Sequence, residues 1–93
     1  MNWYAAKLVF ESELRENAQE ARLCDESIRI LIAESEDEAR AEAAKVGKAA
    51  EHSYLNEMGE TVWWRFREVV DVQDLCVSEL THGTEVFSRL FRQ

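Results

Sequence analysis

Three adjacent side chains in the middle of the chain could move a proton: His52, Ser53 and Tyr54. Histidine changes charge near neutral pH, and neighbouring hydroxyls could relay its proton. General acid–base work requires positioned groups, however, and adjacency along the chain does not supply that geometry. We therefore expect structural roles, in which Tyr54 packs beneath the end of a helix and His52 lies at the negative C-terminus of that helix.

Side chains that could bind zinc are also present, namely Cys24, His52, Cys76 and His82. None of them stands at the short paired spacings that structural zinc sites use. We expect no metal site, no other cofactor and no catalytic set from these residues. Because the two cysteines are far apart and lack a CxxC spacing, we expect them to be free, buried thiols.

Acidic residues cluster at Glu34, Glu36, Asp37 and Glu38. A calcium-binding loop would require a twelve-residue pattern with a central glycine, which this segment lacks. Ser35 followed by Glu38 instead matches a capping box, and acids favour the positive end of a helix. The cluster therefore predicts the start of a helix.

The segment 61–72 contains adjacent tryptophans, which point to opposite faces of a β-strand. One predicted face carries Trp63, Arg65, Arg67 and Asp71, and the other carries Val62, Trp64, Phe66, Val70 and Val72. Tryptophan and arginine are enriched among binding hot spots. We therefore predict an interaction surface formed by Trp63, Arg65 and Arg67 and joined by Trp3. The alternative is that the terminal segment or the 15–23 connection covers this face within the monomer.

Periodicity of the apolar residues places these side chains on an α+β fold. Residues 2–14, 25–34, 60–72 and 84–92 alternate as strands do, whereas residues 35–50 carry an alanine-rich helical stripe. We predict an antiparallel-rich four-stranded sheet in the order β-β-α-β-β, covered by one main helix. A short helix over 73–80 is expected between the last two strands, with Leu75, Cys76 and Leu80 inward. Residues 15–23 are predicted to form an exposed connection.

Composition limits the classes of function. With 93 residues, 46% of them hydrophobic and 32% charged, we expect one globular domain over residues 1–93. The formal charge of −8 disfavours nucleic acid and anionic membranes as partners. The N-terminus lacks the pattern of a signal peptide, and no stretch of 18 apolar residues occurs. We expect a soluble cytoplasmic protein.

Several of these segments together resemble a family of small bacterial proteins known as domain of unknown function 4288. The resemblance is carried by residues 2–8, 26–28, 35–39, 51–54, 56, 59–62, 74–75 and 83–86. It implies a single-domain bacterial protein and carries no activity and no functional residues.

These observations support three interpretations of function. The first is a non-catalytic protein-interaction module, an acidic protein of the immunity or inhibitor kind that covers a basic partner surface. The second is a homodimer that buries the Trp63 face or the 84–92 strand, as a structural or small-ligand-binding unit. The third is a small enzyme whose site joins His52 or His82 to a carboxylate.

Overall fold

The computed structural model describes residues 1–14 and 23–93. Its elements are β1 (Asn2–Leu14), β2 (Cys24–Ala33), α1 (Glu36–Ala49), β3 (His52–Leu55) and β4 (Thr61–Asp74). The strands form one antiparallel sheet in the order β2-β1-β4-β3. The α+β class, a four-stranded antiparallel sheet and the main helix are therefore confirmed, and three of the four strands are the predicted ones. Most of the predicted 15–23 connection lies outside the described residues.

Strand β1 supplies the centre of the core, because alternate residues from Tyr4 to Phe10 are buried on the side of the sheet that α1 covers. Tyr4, Ala6, Leu8 and Phe10 are buried and pack with Leu31, Ala33, Ala39, Ala43 and Val72. Leu8 is the large side chain that is fully buried among the described residues. We call this side of the sheet the helix face and the opposite side the open face.

The predicted capping box begins α1. The hydroxyl of Ser35 accepts a hydrogen bond from the amide of Glu38 at 3.1 Å, and the Glu38 carboxylate accepts one from the amide of Glu34 at 3.3 Å. Ala39, Ala43 and Gly47 form the buried stripe of the helix. A Cβ atom at Gly47 would overlap the ring of Phe66. Small residues therefore allow α1 to lie close against the sheet.

Strand β4 contains two irregularities that change which residues reach the core. Its pairing with β1 shifts between Lys7 and Leu8 and again between Val9 and Phe10. Each shift inserts one extra β4 residue and reverses the alternation of faces. Val69 therefore packs against the core, whereas Val70, predicted to face it, is 45% exposed. The predicted inward positions of Val62, Trp64, Phe66 and Val72 are confirmed.

Strand β3 was not predicted, because four residues are too few to show a periodicity. It pairs with the start of β4 through a tight turn at residues 56–59. The Asn56 carboxamide oxygen accepts hydrogen bonds from the amides of Met58 at 3.0 Å and Glu60 at 2.9 Å. Gly59 has a φ of 75°, which glycine adopts without strain. The turn thus connects β3 and β4 as a hairpin.

Two C-terminal predictions are wrong. No helix forms over residues 73–80, because Leu75 and Val77 remain extended and hydrogen-bond through their backbones to Trp3. Cys76 between them has a φ of 59°, outside the helical range. Residues 84–92 contain no strand either. The observed order along the chain is still β-β-α-β-β, but its strands are not all the predicted ones. The short strand β3 precedes β4, and no strand follows β4.

Candidate functional site

The open face of the sheet carries a row of isoleucines at the β2 edge. Ile28, Ile30 and Ile32 are 46%, 45% and 41% exposed. They pair in register with Lys7, Ala5 and Trp3 of β1. We call these three side chains the isoleucine ridge. Their alternation was visible in the sequence, but the burial of Leu31 and Ala33 under α1 decides that the isoleucines face outward.

The backbone of β2 also faces outward at the ridge. Trp3 makes both of its backbone hydrogen bonds to Leu75 and Val77, on the β4 side of β1. In an antiparallel sheet, the backbone amides and carbonyls of successive residues point alternately to the two flanking strands. Since those of Trp3 point to the β4 side, the even-numbered residues of β1 bond to β2. Their partners in β2 are the odd-numbered residues, such as Leu31 opposite Tyr4. The amides and carbonyls of the ridge therefore point away from β1, to the edge of the sheet.

The four residues of the predicted interaction surface all belong to the open face, but they do not form one cluster. Trp63 is opposite Glu13 of β1, and Trp3 is ten residues away near the other end of that strand. At about 3.3 Å per residue, this separates them by roughly 33 Å. Arg65 lies over the Trp63 ring at 4.2 Å. Arg67 is paired with the carboxylates of Glu11 at 2.9 Å and Glu13 at 3.7 Å.

The C-terminal segment covers the middle of the open face. Phe87 lines a small cleft together with Ala5, Lys7, Ile28, Asp71 and Gln73. The Lys7 ammonium is 5.0 Å from the centre of the Phe87 ring, a cation–π contact. Beyond it, Leu90 and Phe91 project into solvent. The segment therefore shields part of the ridge, and none of the described residues pairs with the outer edge of β2.

The helix face contains a groove of about 360 Å³ beside the end of α1. Phe10 and Trp64 provide its apolar surface, and Arg29, His52 and Asp25 are its ionisable groups. His52 Nδ1 is 3.0 Å from the carbonyl of Ala50, which places the ring at the helix C-terminus as expected. The groove is also lined by Leu23, Cys24 and Ala50.

The side chains of His52, Ser53 and Tyr54 do not form a proton relay, in line with the structural roles expected for them. Ser53 follows His52 in β3, so their side chains lie on opposite faces of the sheet. Tyr54 is stacked beside His52, with ring centres 6.3 Å apart. It is 48% exposed, so the expectation that it packs beneath the helix is wrong.

The four possible zinc ligands are divided between two places. Cys24 and His52 line the groove beside α1, whereas Cys76 and His82 line a second groove of about 540 Å³ near the end of β4. Within the described residues, no three histidine, cysteine or acidic side chains are grouped to hold a metal ion. Both cysteines are free, as expected, but both are exposed, so the prediction of buried thiols is wrong.

Tyr4 is a titratable group of the core whose pKa is shifted by its surroundings. Burial under α1 raises the pKa of its phenol, and the negative charges of Asp74 and Glu36 raise it further. Asp74 also accepts a hydrogen bond from the phenol and lies opposite Tyr4 in the β1–β4 register. Tyr4 therefore acts as a neutral donor that joins the core to the end of β4.

The chain exposes more surface than a compact monomer of its size. Its accessible surface is 6826 Å², against about 5,500 Å² expected for 10.8 kDa. Its radius of gyration is 16.1 Å, against about 12 Å for a compact domain of 93 residues. The excess, about 1,300 Å², is larger than the ~800 Å² that each partner contributes to an interface of standard size.

Sequence comparison identifies the family. The family model for Domain of unknown function (DUF4288) matches residues 3–88, nearly the whole chain. The chain belongs to the DUF4288 family. No curated protein and no solved structure matches it. In the described part of this DUF4288 domain, no helix is both long enough and apolar enough to cross a membrane.

Proposed function

We propose that this DUF4288 domain is a non-catalytic protein-interaction module whose open face binds a protein partner. The observation that carries the proposal is the isoleucine ridge, where three adjacent isoleucines remain 41–46% exposed on an edge strand. Contiguous apolar surface of this kind is characteristic of interaction sites rather than of ordinary monomer surface.

The open face offers two kinds of contact. Trp3 extends the ridge at one end, because it lies opposite Ile32 in the β1–β2 register. Trp63, stacked under the Arg65 guanidinium, provides an aromatic and a charged contact at the other end. These residue types dominate binding energy where they become fully covered. Arg67 is already held by two carboxylates, so we assign the direct contact with the partner to Trp63 and Arg65.

The negative charge of the chain favours a partner with a basic surface. The domain would cover that surface in the way that an acidic immunity or inhibitor protein covers its target. The net charge of −8 would speed and orient the approach of a basic surface. Binding of this kind weakens as salt is added, since ions screen charges over about 8 Å at physiological ionic strength. A salt series of the partner affinity therefore tests the electrostatic part of the proposal.

Affinity capture with matched variants tests the role of the open face. Tagged wild-type protein, Ile30→Glu, Trp63→Glu and Met58→Glu are each exposed to lysate of the source organism, and retained proteins are identified by mass spectrometry. Met58 is a suitable control because it is exposed in the β3–β4 turn. We expect a partner retained by wild type and Met58→Glu and lost from the two open-face variants. Equal retention by all four would contradict the proposal.

A second candidate function is the binding of a small molecule in the groove beside α1. The specific observation is a cavity of about 360 Å³ with two aromatic walls, Arg29 and His52. This size and composition are typical of sites for small ligands. Ligand-observed NMR with a set of aromatic carboxylates tests it. Binding should be lost in Arg29→Ala and retained in Arg65→Ala, and no binding by the wild type would remove this candidate.

A further inference from the structure

We propose that the partner of the β2 edge is a second copy of this chain, paired with it antiparallel about a two-fold axis at Ile30. This proposal rests on the proposed interaction role of the open face and assigns its β2 edge to a second copy, which leaves the Trp63 end of the face for a basic partner. Edge strands are natural templates for pairing, and natural proteins usually protect them with charges, proline or a covering segment. Strand β2 is ten residues long and contains no proline. Its charged residues are Asp25 and Glu26, which precede the isoleucine ridge, and Arg29, which lines the groove on the helix face.

The register of this pairing follows from the sequence of β2. With Ile30 opposite Ile30 of the second copy, Ile28 lies opposite Ile32 of the second copy, and Ile32 opposite Ile28. All three cross-strand contacts on the open face then join isoleucines, and such β-branched pairs stabilise sheets. On the helix face, Arg29 lies opposite Leu31 and Ser27 opposite Ala33. A register centred on Arg29 would instead place two guanidinium groups opposite each other, which is unfavourable.

The backbone favours the same register. The amides and carbonyls of all three ridge residues point to the free edge, as the hydrogen bonds of Trp3 and the β1–β2 register require. In the two-fold arrangement each of the three isoleucine pairs exchanges two hydrogen bonds, about six in total. The result is a continuous eight-stranded sheet whose open faces join along a double ridge.

The exposed surface of the whole chain leaves room for an interface of standard size. A standard interface buries about 800 Å² on each partner. The chain exposes about 1,300 Å² more than a compact monomer of its mass. Electrostatic repulsion opposes association, because each copy carries a net charge of −8. In addition, Glu26 lies opposite Glu34 of the second copy at each end of the paired segment. Self-association should therefore strengthen when salt screens this repulsion.

Engineered disulfides test the pairing residue by residue. The parent chain carries Cys24→Ser and Cys76→Ser, and Ile28→Cys, Ile30→Cys, Ile32→Cys or Leu55→Cys is added singly. Leu55 is the control because it is 69% exposed on β3, the opposite edge of the sheet. Hydrogen-bonded antiparallel partners have Cα atoms about 5.5 Å apart, within the range that a disulfide spans. Circular dichroism confirms that each variant is folded before oxidation with copper–phenanthroline.

We expect Ile30→Cys to form a disulfide-linked dimer on its own. The expected rate at micromolar protein is roughly a hundredfold above that of Leu55→Cys, because paired strands hold the thiols at effective concentrations in the millimolar range. Ile28→Cys and Ile32→Cys should cross-link efficiently with each other when mixed, and poorly when each is alone. Faster linkage of each variant with itself than of the mixture would overturn the antiparallel register.

Rates for Ile30→Cys no higher than those for Leu55→Cys would overturn pairing with a second copy. That result would leave the interaction role standing if affinity capture still depended on Ile30 and Trp63. Failure of both experiments would remove the proposed function as well. The two tests therefore separate the identity of the partner from the existence of a binding surface.

Discussion

Gly47 is the residue whose replacement should violate the usual rule for helices. Alanine is normally favoured over glycine inside a helix by about 1 kcal/mol. At this position the added Cβ would overlap the Phe66 ring, and overpacking costs about 1–3 kcal/mol. We expect Gly47→Ala to lower the free energy of unfolding, measured by urea titration, and the loss to shrink when Phe66→Leu is added. A stabilised Gly47→Ala would show that α1 does not lie this close to the sheet.

Tyr4 should make stability depend on pH in the alkaline range. Its pKa is raised in the folded protein, chiefly by burial and then by Asp74 and Glu36, whereas an unfolded tyrosine ionises near pH 10. The unfolded state therefore loses the proton first. The contribution of the neutral phenol is complete below pH 10 and is lost as pH rises through the folded pKa.

Urea unfolding of wild type and Tyr4→Phe at a series of pH values from 9 upward measures this effect. We expect the wild type to lose stability more steeply than Tyr4→Phe above pH 10. Identical slopes for the two proteins would mean that Tyr4 is not held neutral by its surroundings.

At the scale of elements, the turn at residues 56–59 determines whether β3 forms. The Asn56 side chain accepts two backbone hydrogen bonds there. We expect Asn56→Ala to destabilise the protein by about 1–2 kcal/mol, since each lost bond contributes roughly 0.5–1.5 kcal/mol. The exposed neighbour Glu57→Ala should change the unfolding free energy by less than about 0.5 kcal/mol. Equal effects of the two substitutions in thermal or urea unfolding would contradict this role for Asn56.

The elements that the sequence predicted correctly are those with a strong local signal. The period of two over residues 2–14 and the capping box at Ser35 and Glu38 located β1 and the start of α1. The Trp63–Trp64 alternation was also sufficient to assign opposite faces. Val70 was misplaced because alternation alone cannot reveal a bulge, which depends on the pairing with β1.

The C-terminal segment and the site show where local pattern is insufficient. Residues 84–92 alternate as a strand does, but neither edge of the sheet pairs with them, so no strand forms. The four predicted surface residues were placed on the correct common face, yet their separation depends on strand register. The isoleucine ridge was missed as a surface because its exposure depends on which face of the sheet α1 covers.

For the whole molecule, salt distinguishes self-association from binding to a basic protein. Two copies of charge −8 repel each other, so the dimer should dissociate less readily at 0.5 M than at 0.05 M salt, whereas a complex with a basic partner should weaken. Sedimentation equilibrium at the two salt concentrations measures the first effect. A monomer–dimer equilibrium that weakens with salt would contradict an interface formed by the isoleucine ridge.

Amide hydrogen exchange, followed by NMR at low and high protein concentration, tests most directly whether the β2 edge is an association surface. At low concentration we expect slow exchange at Ser27, Arg29 and Leu31, which bond to β1, and fast exchange at Ile28, Ile30 and Ile32. At high concentration the three isoleucine amides should also exchange slowly, so that slow and fast exchange no longer alternate along β2. Fast exchange of these amides at every concentration, with the alternation unchanged, would contradict the account.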